Sequence, residues 1–233
     1  MIPDGLDKQI EELGRAVPGG LAVFDADGTL WREDIGEAFL RHLVKLGWVK
    51  LPGGRDPYEA YEEAVAKDRK TGYAYAAQLL AGLSQKSLAV EAIFFASEWV
   101  PSRLISDTAG LIALCRGAGL QPFVISASPL PIVLASAPLA GFDAARCRGI
   151  ETAIADGIYT ENIIEPVTYA KGKIDAARAA GELALACGDS LLGDLPMLEA
   201  ARVAVAVSPR AGSPLSAEAN RRAWPVLTQE SGS

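Results

Sequence analysis

Two carboxylates, Asp25 and Asp27, stand two residues apart in the run Phe24-Asp25-Ala26-Asp27-Gly28-Thr29. They follow a short apolar stretch, Leu21-Ala22-Val23-Phe24, with the signature of a buried parallel strand. Adjacent anions at the end of such a strand are costly unless something cationic lies beside them. Mg²⁺ suits the place, because it takes hard oxygen ligands and keeps waters and phosphate oxygens in its shell. Gly28 lets the chain turn sharply and aim backbone N–H groups at an anion. An acidic turn closed by an Asx bond is the bland reading of the same residues.

Three more segments carry candidate groups. Cys187-Gly188-Asp189-Ser190-Leu191-Leu192-Gly193-Asp194 puts two further carboxylates after another apolar run. Asp194 also suits a helix N-cap with Pro196 in the first turn, whereas no cap or turn demands an acid at Asp189. Ser126 follows Val124-Ile125 and offers a hydroxyl either to a phosphate oxygen or to a turn. In Tyr169-Ala170-Lys171-Gly172-Lys173, Lys171 opens a helix and can meet an anion as a point charge, with Lys173 as its rival.

The rest of the chain must bring these segments together. Apolar runs recur at Pro122 to Ile125, Leu183 to Cys187 and Val203 to Val207, separated by helical patterns near 103–118, 130–139, 172–181 and 194–202. Alternation of this kind predicts a doubly wound α/β fold with a parallel sheet covered on both faces. The first strand breaks the rhythm. About seventy residues with helical signals follow it, including an Asp34-Ile35-Gly36-Glu37 capping box, a start at Asp56-Pro57, a break at Gly72, and helices over Tyr73 to Leu83 and Ser87 to Trp99. This predicts an all-helical lid over the carboxyl ends of the strands, where such sheets bind ligands. Residues 1–32 and 102–233 then form the core domain and 33–101 a helical cap. Cys147 to Ile163, with Asp156-Gly157, reads as a β-hairpin flap, and the end after Gln229 is expected to fray.

Composition narrows the function classes. The chain has 233 residues, enough for one sizeable core plus an insertion. Its net charge of −7 argues against nucleic acid as a partner. Three cysteines without a CxxC pair and a single histidine, His42, cannot assemble a Cys/His zinc site. The uncharged stretch from Gly117 to Phe142 is interrupted by four prolines and three serines, so it reads as strand, loop and helix, not a membrane span. The polar, acidic start is unlike a secretory signal, and the expectation is a cytoplasmic protein away from membranes.

Taken in order, a strand with DxDGT, a strand with Ser, a Lys at a helix start and a strand with GDxxxxD resemble the haloacid dehalogenase superfamily, over about residues 20 to 210. The likeness is greatest to its phosphoserine-phosphatase-like branch, through DADGTLW (25–31), VISASP (124–129), Ala170-Lys171-Gly172-Lys173 and GDSLLGDLPML (188–198). The resemblance implies a Rossmann-like core and a Mg²⁺-dependent phosphatase acting on a small phosphorylated metabolite. Asp25 would attack phosphorus and become an aspartyl phosphate, while Asp27 would serve as acid and then base. Asp25, the Asp27 carbonyl and Asp189 would hold the metal, with Asp194 orienting that shell or ligating through water. Ser126 and Lys171 would hold the phosphate. A phosphotransferase using the same intermediate, or a non-catalytic phospho-accepting module, is the alternative.

Two departures bear on the substrate. Phosphoserine phosphatases carry a cap arginine before a Leu-Leu-x-Gly-Leu segment. Here Ala76, Ala77 and Gln78 precede Leu79-Leu80-Ala81-Gly82-Leu83, which argues against phosphoserine. The second motif is Ser126-Ala127-Ser128 where that branch has Ser-Gly-Gly. The branch's acidic cap residue falls at Asp34, which would pair with a substrate amine or serve only as a helix cap. The cap aromatics Tyr58, Tyr61, Tyr73, Tyr75, Phe94, Phe95 and Trp99 are expected to fill the cap's own core, with a phosphocholine-like head as the sharper alternative for those that face the cleft.

Overall fold

The apolar runs become neighbouring strands of one sheet. In the computed structural model, which describes residues 2–208 and 213–229, these are β1 (Leu21–Phe24), β2 (Gln121–Pro129), β3 (Cys147–Ala155), β4 (Ile158–Ile164), β5 (Leu183–Gly188), β6 (Val203–Ser208) and β7 (Val226–Thr228). The end after Gln229, where fraying was expected, lies outside the described residues. The sheet order is β4-β3-β2-β1-β5-β6-β7, and every pair is parallel except β3 with β4. β1 shows why these strands carry no polar alternation. Ala22 and Phe24 enter one apolar cluster while Leu21 and Val23 enter another, so both faces are dry.

Helix α1 (Leu6–Ala16) precedes β1. Four helices, α2 (Ile35–Lys45), α3 (Pro57–Lys67), α4 (Arg69–Gln78) and α5 (Gln85–Trp99), fill the insertion after it, and α6 (Ser106–Gly117) leads back to β2. The remaining helices are α7 (Leu130–Ser136), α8 (Lys171–Ala180), α9 (Leu195–Ala200) and α10 (Pro214–Arg221). The sequence pattern did not indicate α10 and β7.

Gly72 does not end a helix as its type suggested. It lies inside α4, where a Cβ would fall 2.4 Å from the Val65 backbone nitrogen, so it serves close contact between α3 and α4. The break falls instead at Asp68, which ends α3 and caps α4 by accepting from Thr71 N. Phe94, expected inside, is 60% exposed, while Tyr58, Tyr61 and Trp99 are buried.

The insertion is fixed to the core in two ways. One apolar cluster runs from Phe24 of β1 to Phe39, Leu43, Leu88 and Trp99. On the other side, the β3–β4 hairpin bonds the link between α4 and α5 through its backbone: Gly82 N to Tyr159 O and Tyr159 N to Leu83 O, each 2.9 Å, and Gln85 N to Gly157 O at 2.8 Å. The flap read from the sequence is therefore a sheet-edge hairpin that holds the helices in place.

Candidate active site

Strand register assembles the floor of the site. Phe24 of β1 lies opposite Val124 of β2 and Cys187 of β5. Asp25, Ser126 and Asp189 follow within two residues of those partners, so three motifs far apart in sequence end at the same sheet edge. The loop after β1 is then tied down, with Asp25 N donating to Cys187 O at 2.9 Å and Gly28 N to Trp31 O at 2.9 Å. Gly28 has φ +75°, and a Cβ there would fall 2.1 Å from Asp189 Oδ2. Any side chain at Gly28 would collide with the carboxylate.

Lys173, not Lys171, enters this floor. Its ammonium is buried and donates to Asp25 Oδ1 at 2.6 Å and Asp194 Oδ1 at 2.5 Å. Lys171 points into solvent, with its side chain 82% exposed, and pairs with Asp175 at 2.8 Å. The reason is helical phase: residues two apart on α8 face nearly opposite directions. The turn before α8 is tight enough to demand Gly172, where a Cβ would fall 1.8 Å from Val167 O.

Asp25, Asp189 and Asp194 each present an oxygen within 4.8 Å of the others'. Asp194 is fully buried, and both its oxygens are engaged: Oδ1 by Lys173, Oδ2 by Asp189 N at 3.1 Å and Ser190 N at 2.9 Å. It therefore braces the loop and the lysine. Burial, then the charge of Asp194, pushes the Asp25 carboxyl up to about 7 against the pull of Lys173. Burial, then Asp194 and Asp25, pushes Asp189 up to about 9. Burial by itself would lower Lys173, but Asp194 and Asp25 outweigh it and leave its pKa raised. Three acids gather at one lysine, which pairs with only two of them, Asp25 and Asp194, so negative charge is in excess. Hard oxygen donors with excess negative charge fit a divalent cation such as Mg²⁺.

Asp27 lines the same cavity as that cluster, but its carboxylate is held by other groups. Its Oδ1 accepts from Ile35 N at 2.8 Å and Trp31 Nε1 at 2.9 Å; its Oδ2 accepts from Ser128 Oγ at 2.7 Å and Ser126 Oγ at 3.4 Å. Its carboxylate is thus not among the clustered candidate ligands. The hydroxyl of Ser126, read from sequence as a phosphate donor, is fully buried between Asp27 and Ser128 N, 2.9 Å away. Ser126 is too deep in β2 to line the cavity, and Ala127 and Ser128 do so instead.

A cavity of about 390 Å³ lies over this floor. The insertion supplies its far wall through Asp34, Gly36, Glu37, Tyr61 and Tyr73, and Tyr169 joins them from the turn before α8. Asp34 caps α2 by accepting from Glu37 N at 2.8 Å, and burial, then Asp27, holds its carboxyl well above the usual range. The Tyr58 and Tyr61 hydroxyls donate to Glu37 at 3.1 and 3.3 Å. Gln229 also lines the cavity, and its side-chain amide donates to the Gly28 carbonyl. Trp31, Ser128 and Gln229 had no assigned role in the sequence, and Glu37 had only that of a capping-box residue. Ser128 left a signal as the departure from Ser-Gly-Gly, and Trp31 as the end of DADGTLW.

The sequence profile of haloacid dehalogenase-like hydrolases matches residues 22–199. No curated protein sequence matches the chain. Among solved structures, a protein of unknown function from Bordetella pertussis Tohama I is similar at TM-score 0.78 and 21% identity, over 92% of this chain and 100% of that one. A HAD family hydrolase from Salmonella enterica subsp. enterica serovar Typhi matches at TM-score 0.61 and 18% identity, over 97% and 77%. A phosphoserine phosphohydrolase-like protein from Francisella tularensis subsp. tularensis SCHU S4 matches at 0.59 and 16%, over 89% and 94%. At these identities the likeness is one of fold. No helix among the described residues is long and apolar enough to cross a membrane.

Proposed function

The chain belongs to the haloacid dehalogenase-like hydrolase family, and on that premise we propose that it is a Mg²⁺-dependent phosphatase of small phosphate monoesters, with Asp25 as nucleophile. The observation that carries this is the buried Lys173 bridge between Asp25 and Asp194, set beside Asp189. Lys173 takes only Oδ1 of Asp25, which leaves the other oxygen for phosphorus. Residues 33–101 act as the cap over a core of 1–32 and 102–233.

Phosphate monoesters are inert, with enzymatic accelerations up to ~10²¹, so charge must be met wherever it develops. Asp25 attacks phosphorus, the ester P–O bond breaks, and Asp27 gives its proton to the departing alkoxide. Asp27 then takes a proton from water, whose oxygen attacks the aspartyl phosphate and releases inorganic phosphate. Splitting the reaction at Asp25 makes two easier steps of one hard one. The Ser128 hydroxyl serves Asp27 in both states, because it donates to the carboxylate and accepts from the acid. Asp25 and Asp189 would hold the Mg²⁺, with Asp194 and Lys173 fixing Asp25. When bound, the cation supplies positive charge to the phosphoryl oxygens. The phosphate also meets the edge of β2 at Ala127 and Ser128.

The test is phosphate release from a panel of monoesters, p-nitrophenyl phosphate included, with Mg²⁺ or with chelator. Metal-dependent turnover that Asp25→Asn abolishes, in a protein with unchanged circular dichroism, is expected. Turnover by Asp25→Asn equal to that of the unaltered protein overturns the nucleophile assignment.

A further inference from the structure

Helix α5 is apolar on two opposite faces. Leu88, Ala92, Ala96 and Trp99 are buried in the cluster that joins the insertion to the core. About 180° around the helix, at 3.6 residues per turn, Val90, Ile93 and Phe94 stand 63%, 60% and 60% exposed. The flanks between these faces are taken. Glu91 meets His42 of α2 at 2.6 Å, Phe95 packs on Phe39 of α2 with ring centroids 5.3 Å apart, and α7 lies against the same helix. A helix that is apolar all round belongs in an interior, and nothing among the described residues covers the outer stripe. Single exposed apolar side chains are ordinary, whereas a contiguous group on one helix face marks a contact surface.

Charge says what covers it. Lys86, Val90, Phe94 and Glu98 follow one another at four-residue intervals. They form one ridge along α5, with a base at its start, an acid at its end and apolar side chains between. Lys86 and Glu98 are exposed, and neither has an ion-pair partner among the described residues. Turned end for end, the ridge is its own complement. The commonest helix crossing, near about −50°, lays the i±4 ridges of two helices alongside each other. In an antiparallel pair related by a two-fold axis, Lys86 of each copy then lies by Glu98 of the other, Val90 lies by Phe94, and the two Ile93 side chains meet near the axis. Such a contact has an apolar centre and a charged rim, as protein interfaces do. A helix face made for a membrane surface carries a surplus of Lys and Arg, whereas this ridge carries one base and one acid.

We propose that the outer face of α5 is the interface of a two-fold symmetric dimer of this chain, closed by Val90, Ile93 and Phe94 and set in register by Lys86 and Glu98. No residue of α5 lines the cavity over Asp25, so pairing leaves that cavity open, and the inference stands whether or not the chain is a phosphatase. One helix from each copy is a small contact, on the scale of associations that exchange in solution and not of permanent dimers.

Sedimentation equilibrium of the full chain between about 1 and 100 µM brackets the Kd of a contact this size, and a monomer–dimer equilibrium is expected. Each substitution acts twice in a two-fold contact. Phe94→Ser is expected to raise Kd at least about tenfold, with circular dichroism and melting unchanged. Lys86→Glu and Glu98→Lys each set like charges together and are expected to weaken the dimer about tenfold. The double substitution restores the pair in reverse and is expected to bring Kd back to within about threefold of the unaltered protein. A monomer at every concentration overturns the proposal; if that monomer pellets with phosphatidylcholine vesicles, the stripe belongs to a lipid surface instead. A dimer that Phe94→Ser leaves intact, or two charge reversals that do not rescue one another, overturns it as well.

Discussion

The floor and the wall of the cavity are built by different means. The floor is a charge network locked by strand register: every acid lies within two residues of a strand end or in the turn that follows it. The wall hangs mostly on helices of the insertion, which carry its acids and the Tyr61 and Tyr73 rings, with Tyr169 added from the turn before α8. A change to the floor should stop the chemistry or unfold the protein. A change to the wall should alter which alcohol is accepted.

The sharpest break in that contrast is Asp25→Asn, expected to lower kcat by about 10⁴-fold or more, as nucleophile removal does, while melting stays cooperative. Next is the lysine pair. Lys173→Met strands buried carboxylates and is expected to cost about 3–5 kcal/mol by denaturant unfolding. Lys171→Met removes only an exposed pair and should change stability by less than about 0.5 kcal/mol. Equal effects would mean that Lys173 does not bridge Asp25 and Asp194. Ser128→Ala deletes one hydrogen bond to a carboxylate, worth about 1.5–3 kcal/mol, so kcat should fall roughly tenfold or more, with the loss concentrated in the acid–base limbs of its pH profile.

The smallest effect joins the floor to pH. Burial raises Asp25 to about 7 and Asp189 to about 9 from the ordinary 3.8. The folded state binds those protons more tightly than the unfolded chain does. Their contribution to stability is therefore complete below about pH 4 and is lost as pH rises through 7 and then 9. In chelator, Tm should fall across that window relative to buffer controls on Asp189→Asn. Added Mg²⁺ should raise Tm more at pH 9 than at pH 5. A Mg²⁺ shift independent of pH would place the cation away from these acids.

The parts that could be read without coordinates are those where local rules and global fold agree. β1, β5 and β6 are continuous apolar runs because both sheet faces are covered, and the acids after β1 and β5 stand out against that background. α1 carries clear apolar spacing, with Leu6, Ile10 and Leu13 buried on one face, and an end cue in Pro18-Gly19-Gly20. The missing pieces lacked such a signal. β7 is three residues long, and Gln229 reaches Gly28 only because that strand joins the far side of the sheet. Gly72 looked like a helix stop because a glycine's type does not reveal whether the backbone bends there or a neighbour presses close.

By its own order of residues, the chain determined which strands would end in acids and that a helical segment would overhang them. Strand runs and motif spacing are local properties, and β pairing turns them into a shared edge. Tertiary structure decided which lysine serves Asp25, which serine hydroxyl reaches the cavity, and that the overhanging wall is acidic and aromatic. Lys171 and Lys173 differ by about 200° around a helix at 3.6 residues per turn. A sequence lists both lysines alike, and only the packing of α8 against the sheet chooses the one that is buried.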